Sequence, residues 1–185
     1  MKIIAFAAST STQSINKKLV SSVARQAQQT AQESGADVQL EILDLNDCEL
    51  PLFSEDLERE IGQPQAASDF IAKLGSADYL IVSFAEHNGL YSAAFKNLFD
   101  WCSRQAGRNI YQNKAMLLLA TSPGGRGGKS VLELATGMSP RFGGEVKASV
   151  SVPSFEENFD QESQTISNPE IAQQINAGIA ALFAD

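Results

Sequence analysis

Short apolar runs alternate with stretches of helical period along the whole chain, and this alternation restricts the fold more than any other feature. Ile3–Ala8, Tyr79–Phe84 and Ala115–Ala120 are nearly continuous apolar runs, whereas Val38, Leu40 and Ile42, and later Val146–Val152, alternate with polar neighbours. Between the first two strands, Ile15, Leu19, Val23, Ala27 and Ala31 fall four apart within residues 14–34, with Val20 and Ala24 beside them, which is one face of a helix. Gly35 is placed to end it. Further helices are expected from Pro64 to near Gly75, over 92–104 and over 129–138. A last one starts at Pro169, capped by Ser167 or Asn168, with Ile171, Ile175, Ile179, Leu182 and Phe183 facing inward. Phe99 and Trp101 read as core.

Five strands joined by helical crossovers imply a parallel sheet with helices on both faces. Strands one, three and four are nearly continuous apolar runs, as strands buried on both faces are; strands two and five alternate, as strands nearer an edge do. Placing two and five outside gives the order 2-1-3-4-5, the flavodoxin-like three-layer α/β sandwich. The Rossmann order 3-2-1-4-5 is the competing arrangement. The 185 residues suit one domain, 1–185. Pro153–Asn168 reads as a long, polar, acidic surface loop.

A net charge of −8 argues against nucleic-acid binding, which needs a basic face. No apolar run approaches the roughly 20 residues of a membrane span, and the N-terminus reads as a first strand rather than a signal peptide. Cys48 and Cys102 are expected as reduced thiols in a cytoplasmic protein. With one histidine and no ligand spacing, no metal site is expected.

In the order 2-1-3-4-5, ligands bind beyond the carboxyl ends of the strands where the winding reverses, between strands one and three. Three loops meet there. The first, Ala8–Asn16, holds five hydroxyl side chains in six residues before a helix N-terminus. Such a loop offers neutral donors and a positive dipole end to a monoester phosphate such as that of FMN. It lacks both GxGxxG and GxxxxGK[ST]. The bland reading is a helix cap and turn. The second, Ala85–Gly89, carries Glu86 and His87 before an Asn88-Gly89 turn. Glu86 alone reads as a surface charge. The third, Thr121–Gly128, has four glycines in five residues. That composition suits either close approach to a flat ring or a flexible turn. Arg126 in it suits either a phosphate or solvent.

Together these loops resemble the NADPH-dependent FMN reductase family, which includes quinone, azo-dye and chromate reductases. The family's GSxRxxSxN is matched by Ser9, Ser14 and Asn16. Its PEYNxSxxxxLKNxxDW is matched by Glu86, Asn88, Lys96, Asn97, Asp100 and Trp101. Its SxxGxxGG is matched by Ser122, Gly125 and Gly128. The resemblance implies that Ser9, Ser11, Ser14, Ile15 and Asn16 hold the FMN phosphate. Glu86, His87, Asn88 and Gly89 would line the ring and ribityl chain, and Ser122, Pro123, Gly124 and Gly125 the ring's polar edge. It implies an FMN-dependent NAD(P)H oxidoreductase that reduces a small acceptor (quinone, free flavin, azo compound or metal oxyanion) by ping-pong hydride transfer. It also implies a homodimer or homotetramer, and it requires no catalytic side chain. Some positions depart from the pattern. Ala8 and Ser11 depart from the first motif, Ser11 standing where the family has arginine; Ala85 replaces its proline and His87 its tyrosine. Loss of the arginine keeps two alternatives in view: a flavodoxin-type electron carrier, and a flavin-free binding protein with a degenerate site.

Overall fold

The computed structural model describes residues 1–106 and 109–184, without the side chain of Ala106. The main sheet comprises β1 (Lys2–Ala8), β2 (Gln39–Leu43), β3 (Tyr79–Phe84), β4 (Lys114–Thr121) and β5 (Gly144–Val152). Its order is β2-β1-β3-β4-β5, and every neighbouring pair is parallel. The helices are α1 (Ile15–Glu33), α2 (Glu55–Ile61), α3 (Gln65–Gly75), α4 (Ala93–Ala106), α5 (Lys129–Met138), α6 (Phe155–Asn158) and α7 (Pro169–Leu182). The flavodoxin-like order is the one formed, and the Rossmann order is excluded.

The apolar runs of β1, β3 and β4 are explained by their two covered faces. Ile4, Phe6, Leu80, Val82, Phe84, Met116 and Leu118 pack with α3, α4 and α5. Their alternate neighbours, Ile3, Ala5, Ile81, Leu117 and Leu119, pack with α1 and α7. The first face is aromatic: Phe6 meets Phe70 edge-on at 5.4 Å, and Phe84 meets Phe95 at 5.5 Å. β2 and β5 are the edges. Between β4 and β5 the register slips at Met116 and Leu117, leaving Lys147 of β5 as the extra residue of a bulge.

Helix ends follow their cap chemistry. At the end of α1, Gly35 takes φ +90°, and its N–H reaches the Gln32 carbonyl at 2.9 Å. At α7 the cap is Asn168, whose side-chain oxygen accepts from Glu170 N at 3.0 Å and Ile171 N at 3.3 Å. Asn168→Ala is expected to cost about 1 kcal/mol, read as a fall of about 2–4 °C in Tm. An unchanged Tm would remove the cap from the stability account.

Two segments differ from the sequence reading. Residues 153–168 are built rather than irregular: α6 is followed by a two-stranded ribbon pairing Phe159–Asp160 with Thr165–Ile166. Phe155 and Phe159 stack at 4.6 Å and are buried in the core formed with α1 and α7. Acidic neighbours hid these two anchors. The other difference is α2, which the sequence pattern did not reveal. None of its residues is buried, so it has no apolar stripe to read, and it starts at Ser54, whose hydroxyl accepts from Leu57 N at 3.1 Å. Both cysteines are free. Burial pushes the Cys102 thiol up to about 12.

Candidate cofactor cleft

The carboxyl ends of β1, β3 and β4 open onto a cleft of about 300 Å³ lined by Ser9, Ser11, Gln13, Ser14, Ile15, Asn16, Ala85, Glu86, His87, Thr121, Ser122 and Pro123. A cleft of similar size, about 340 Å³, lies between α1 and the 159–166 ribbon. Volume therefore does not mark the site. Position at the point where the winding reverses does.

The first loop is a chain of serine turns. Ser9 Oγ accepts from Ser11 N at 3.2 Å, Ser11 Oγ from Gln13 N at 3.3 Å, and Ser14 Oγ from Lys17 N at 3.2 Å. Each hydroxyl is thus a local acceptor, as the bland reading expected. A hydroxyl has one donor as well as two acceptor sites, and in all three serines the O–H hydrogen is left for a ligand. The amides of Ile15 and Asn16 open the first turn of α1, where no intrahelical acceptor exists. Among the described residues, the cleft lining holds no lysine or arginine. Lys17 is paired with Asp44, and Lys18 donates to Gln161 Oε1 at 2.8 Å. The Lys17 ammonium holds the Asp44 carboxyl below its ordinary range. The first loop therefore offers neutral donors and the dipole of a 19-residue helix, a set that fits a phosphate group.

The Asn16 side chain is committed elsewhere. It is 4% exposed. Its oxygen accepts from Ser83 Oγ at 2.7 Å and Thr121 N at 3.1 Å, and its amide donates to the Thr121 carbonyl at 3.2 Å. One side chain thus joins the start of α1 to the ends of β3 and β4. Thr121 Oγ1 extends the tie to the Val152 carbonyl on β5 at 2.7 Å.

The second loop is a tight hairpin pairing Glu86 with Tyr91 and His87 with Leu90. Asn88 at φ +54° and Gly89 at φ +80° are its two central residues, the combination a two-residue hairpin turn requires. His87 lines the cleft, whereas Asn88 and Gly89 form the tip and do not. Glu86 is no free surface charge: its Oε2 accepts from Val131 N in the first turn of α5 at 3.0 Å. Just beyond the hairpin, Ser92 Oγ donates to the Ala8 carbonyl at 2.8 Å and accepts from Phe95 N at 3.2 Å, fixing α4 to the end of β1.

In the third loop, Ser122 and Pro123 line the cleft while Gly124 and Gly125 stand outside the lining. A Cβ on either glycine would meet nothing within 4 Å. The Gly124 carbonyl accepts from Ser154 N at 3.0 Å, and the Ser122 carbonyl from Phe155 N at 3.1 Å, which fastens the loop to the start of α6. Gln13, Ala85 and Thr121 complete the lining; they lay in the loops read from the sequence but carried no motif signal of their own.

The rest of the second motif is structural. Asn97 Oδ1 accepts from Phe53 N at 2.8 Å, its amide donates to the Pro51 carbonyl at 3.0 Å, and Trp101 Nε1 donates to the same carbonyl at 2.8 Å. These bonds strap residues 50–53 onto α4. Lys96 pairs with Asp100 at 2.7 Å on its exposed side.

Fold and site together define a flavodoxin-like α/β protein with an open cleft at the point where strand order reverses. Residues 1–153 match the family described as NADPH-dependent FMN reductase, and the chain belongs to that family. It is an FMN-dependent NAD(P)H oxidoreductase. It is 26% identical over 163 residues to a probable NADPH:quinone oxidoreductase 2 of Oryza sativa subsp. japonica, covering 86% of this chain and 78% of that one. It is 33% identical over 124 residues to an uncharacterized Mycoplasma pneumoniae protein, an MG342 homologue, covering 65% and 74%. The flavoenzyme NAD(P)H:(acceptor) oxidoreductase FerB of Paracoccus denitrificans shares the fold at a TM-score of 0.71 and 20% identity, over 98% of this chain and 94% of that one. Among the described residues, no helix is long and apolar enough to cross a membrane.

Proposed function

We propose that the cleft at the carboxyl ends of β1, β3 and β4 is the FMN site and that a quinone, free flavin, azo compound or metal oxyanion is the acceptor. The supporting observation is the first loop, whose three serine hydroxyls keep their hydrogens beside the open first turn of α1. Ser9, Ser11 and Ser14, with the Ile15 and Asn16 amides, would hold the phosphate. Glu86, His87, Asn88 and Gly89 would flank the ribityl chain and ring from one side, and Ser122, Pro123, Gly124 and Gly125 from the other. When bound, FMN supplies the hydride-carrying chemistry. The chain supplies binding, orientation and electrostatics, and no side chain needs to move a proton. Use of the one open cleft first by NAD(P)H and then by the acceptor, in a ping-pong order, is part of the same reading. Assembly as a homodimer or homotetramer, residence in the cytoplasm and a single domain spanning 1–185 belong to the same reading.

Position 11 tests it. Titration of the apo-protein with FMN, followed by flavin fluorescence, is expected to saturate at one FMN per chain. Ser11→Arg would add a charge-assisted bond to the phosphate, about 1.5–3 kcal/mol, and tighten binding about tenfold or more. Ser11→Asp would set like charges together and weaken binding by a similar factor. Both effects should shrink at high salt, since the position is exposed. A dissociation constant indifferent to both substitutions would place the phosphate elsewhere. Absence of saturable binding would favour a flavin-free protein.

A further inference from the structure

We infer that Glu86 is a positioning residue: it ties the hairpin after β3 to the N-terminus of α5 and so holds two walls of the cleft in register. The inference rests on the assignment of this cleft to FMN. α5 starts without a cap of its own. Its N-cap residue is Gly128 at φ +71°, and no side chain from that end accepts from the first turn. The acceptor comes instead from 45 residues away, where Glu86 Oε2 takes the Val131 N–H at 3.0 Å. A carboxylate at a helix N-terminus is doubly favoured, by the hydrogen bond and by the helix dipole.

The two parts joined by this bond are the ones that flank the cleft. Glu86 lines it from the hairpin, and Ser122 and Pro123 line it from the loop that runs into α5. The far side of that loop is already anchored. The Gly127 carbonyl accepts from Ser151 Oγ at 2.9 Å, and the Gly124 carbonyl from Ser154 N at 3.0 Å. The hairpin is held to its own strand end by chain connection. Beside the packing of Leu90–Tyr91 on α5, Glu86 supplies a side-chain hydrogen bond between the hairpin and α5. It also leaves a negative charge on the cleft wall, where it opposes the addition of electrons to a bound group.

Titration of the apo-protein variants with FMN, paired with redox titration of the loaded forms, separates position from charge. Glu86→Ala is expected to weaken FMN binding about tenfold. Glu86→Gln keeps an oxygen for Val131 N and is expected to stay within about threefold of the parent, while the midpoint potential of its bound FMN moves to a more positive value. Asn168→Ala serves as the control. It removes a helix cap outside the cleft lining and is expected to lower Tm without changing FMN affinity. The inference is overturned if Glu86→Ala binds FMN as the parent does, if Glu86→Gln is as weak as Glu86→Ala, or if Asn168→Ala weakens FMN binding as much. Ser11→Asp tells which idea has failed. If it weakens binding while Glu86→Ala does not, the cleft assignment stands and the role of Glu86 falls. If neither changes binding, the cleft assignment falls with it.

Discussion

Replacing Asn16 by Leu is expected to lower stability by about 3–5 kcal/mol and Tm by roughly 10 °C. The substitution keeps the approximate size of the side chain and removes its polar atoms. Three buried groups then lose their partner: the Ser83 hydroxyl, the Thr121 N–H and the Thr121 carbonyl. Each unsatisfied group costs about 1–3 kcal/mol; Ser83 can recover part of this by rotating its hydroxyl, which keeps the total in the lower part of the summed range. Because Asn16 joins the start of α1 to the ends of β3 and β4 beside the cleft, FMN affinity should fall together with stability. Urea denaturation with an unchanged m-value would show a loss of native interactions rather than a change in the unfolded chain. A Tm within about 3 °C of the parent would mean that water replaces the amide, and the tie would lose its importance.

Asn16 also shows where a sequence reading stops. Its place in the first motif, two residues after Ser14, put it in the first loop, and it does line the cleft there. The motif cannot say whether a side chain serves a ligand or a backbone group 105 positions away. The first-turn amide of Asn16 faces the ligand question, while its side chain serves the sheet. Glu86 was legible as part of the second motif, but its partner Val131 lies in a helix whose orientation the sequence does not carry. The strand order was legible because burial on both faces leaves a mark on most residues of β1, β3 and β4. α2 left no such mark, because none of its residues is buried. Phe155 and Phe159 were visible as residues and misread as a loop, since two anchors in an acidic stretch make no period. Asn97 and Trp101 matched the family pattern without revealing that their work is to hold the 50–53 strap.

The third loop's glycines divide into two kinds, and this division sets the second large effect. Gly127→Ala is expected to destabilise the protein by about 2–5 kcal/mol. Gly127 holds φ +59°, and a Cβ there would lie 2.4 Å from Ser151 Oγ, 2.7 Å from Pro153 N and 2.9 Å from Pro153 Cα. The left-handed backbone costs an alanine about 1–2 kcal/mol, and the overlap adds about 1–3 kcal/mol because backbone atoms cannot rotate away. Adding Ser151→Ala would relieve the contact with the hydroxyl but leave both Pro153 atoms in place, so the double variant should recover a minor part of the loss. Gly124→Ala is the contrast: its backbone is not left-handed, and nothing lies within 4 Å of the added methyl group. It should leave stability unchanged or raise it by about 0.4–1 kcal/mol through the unfolded chain. If it also weakens FMN binding, the methyl group has entered space the flavin needs, and the third loop stands close to the ring. If both alanines are tolerated equally, the close approach of Gly127 to β5 is not what fixes this loop, and its rigidity must come from the Gly124–Ser154 and Ser122–Phe155 bonds instead.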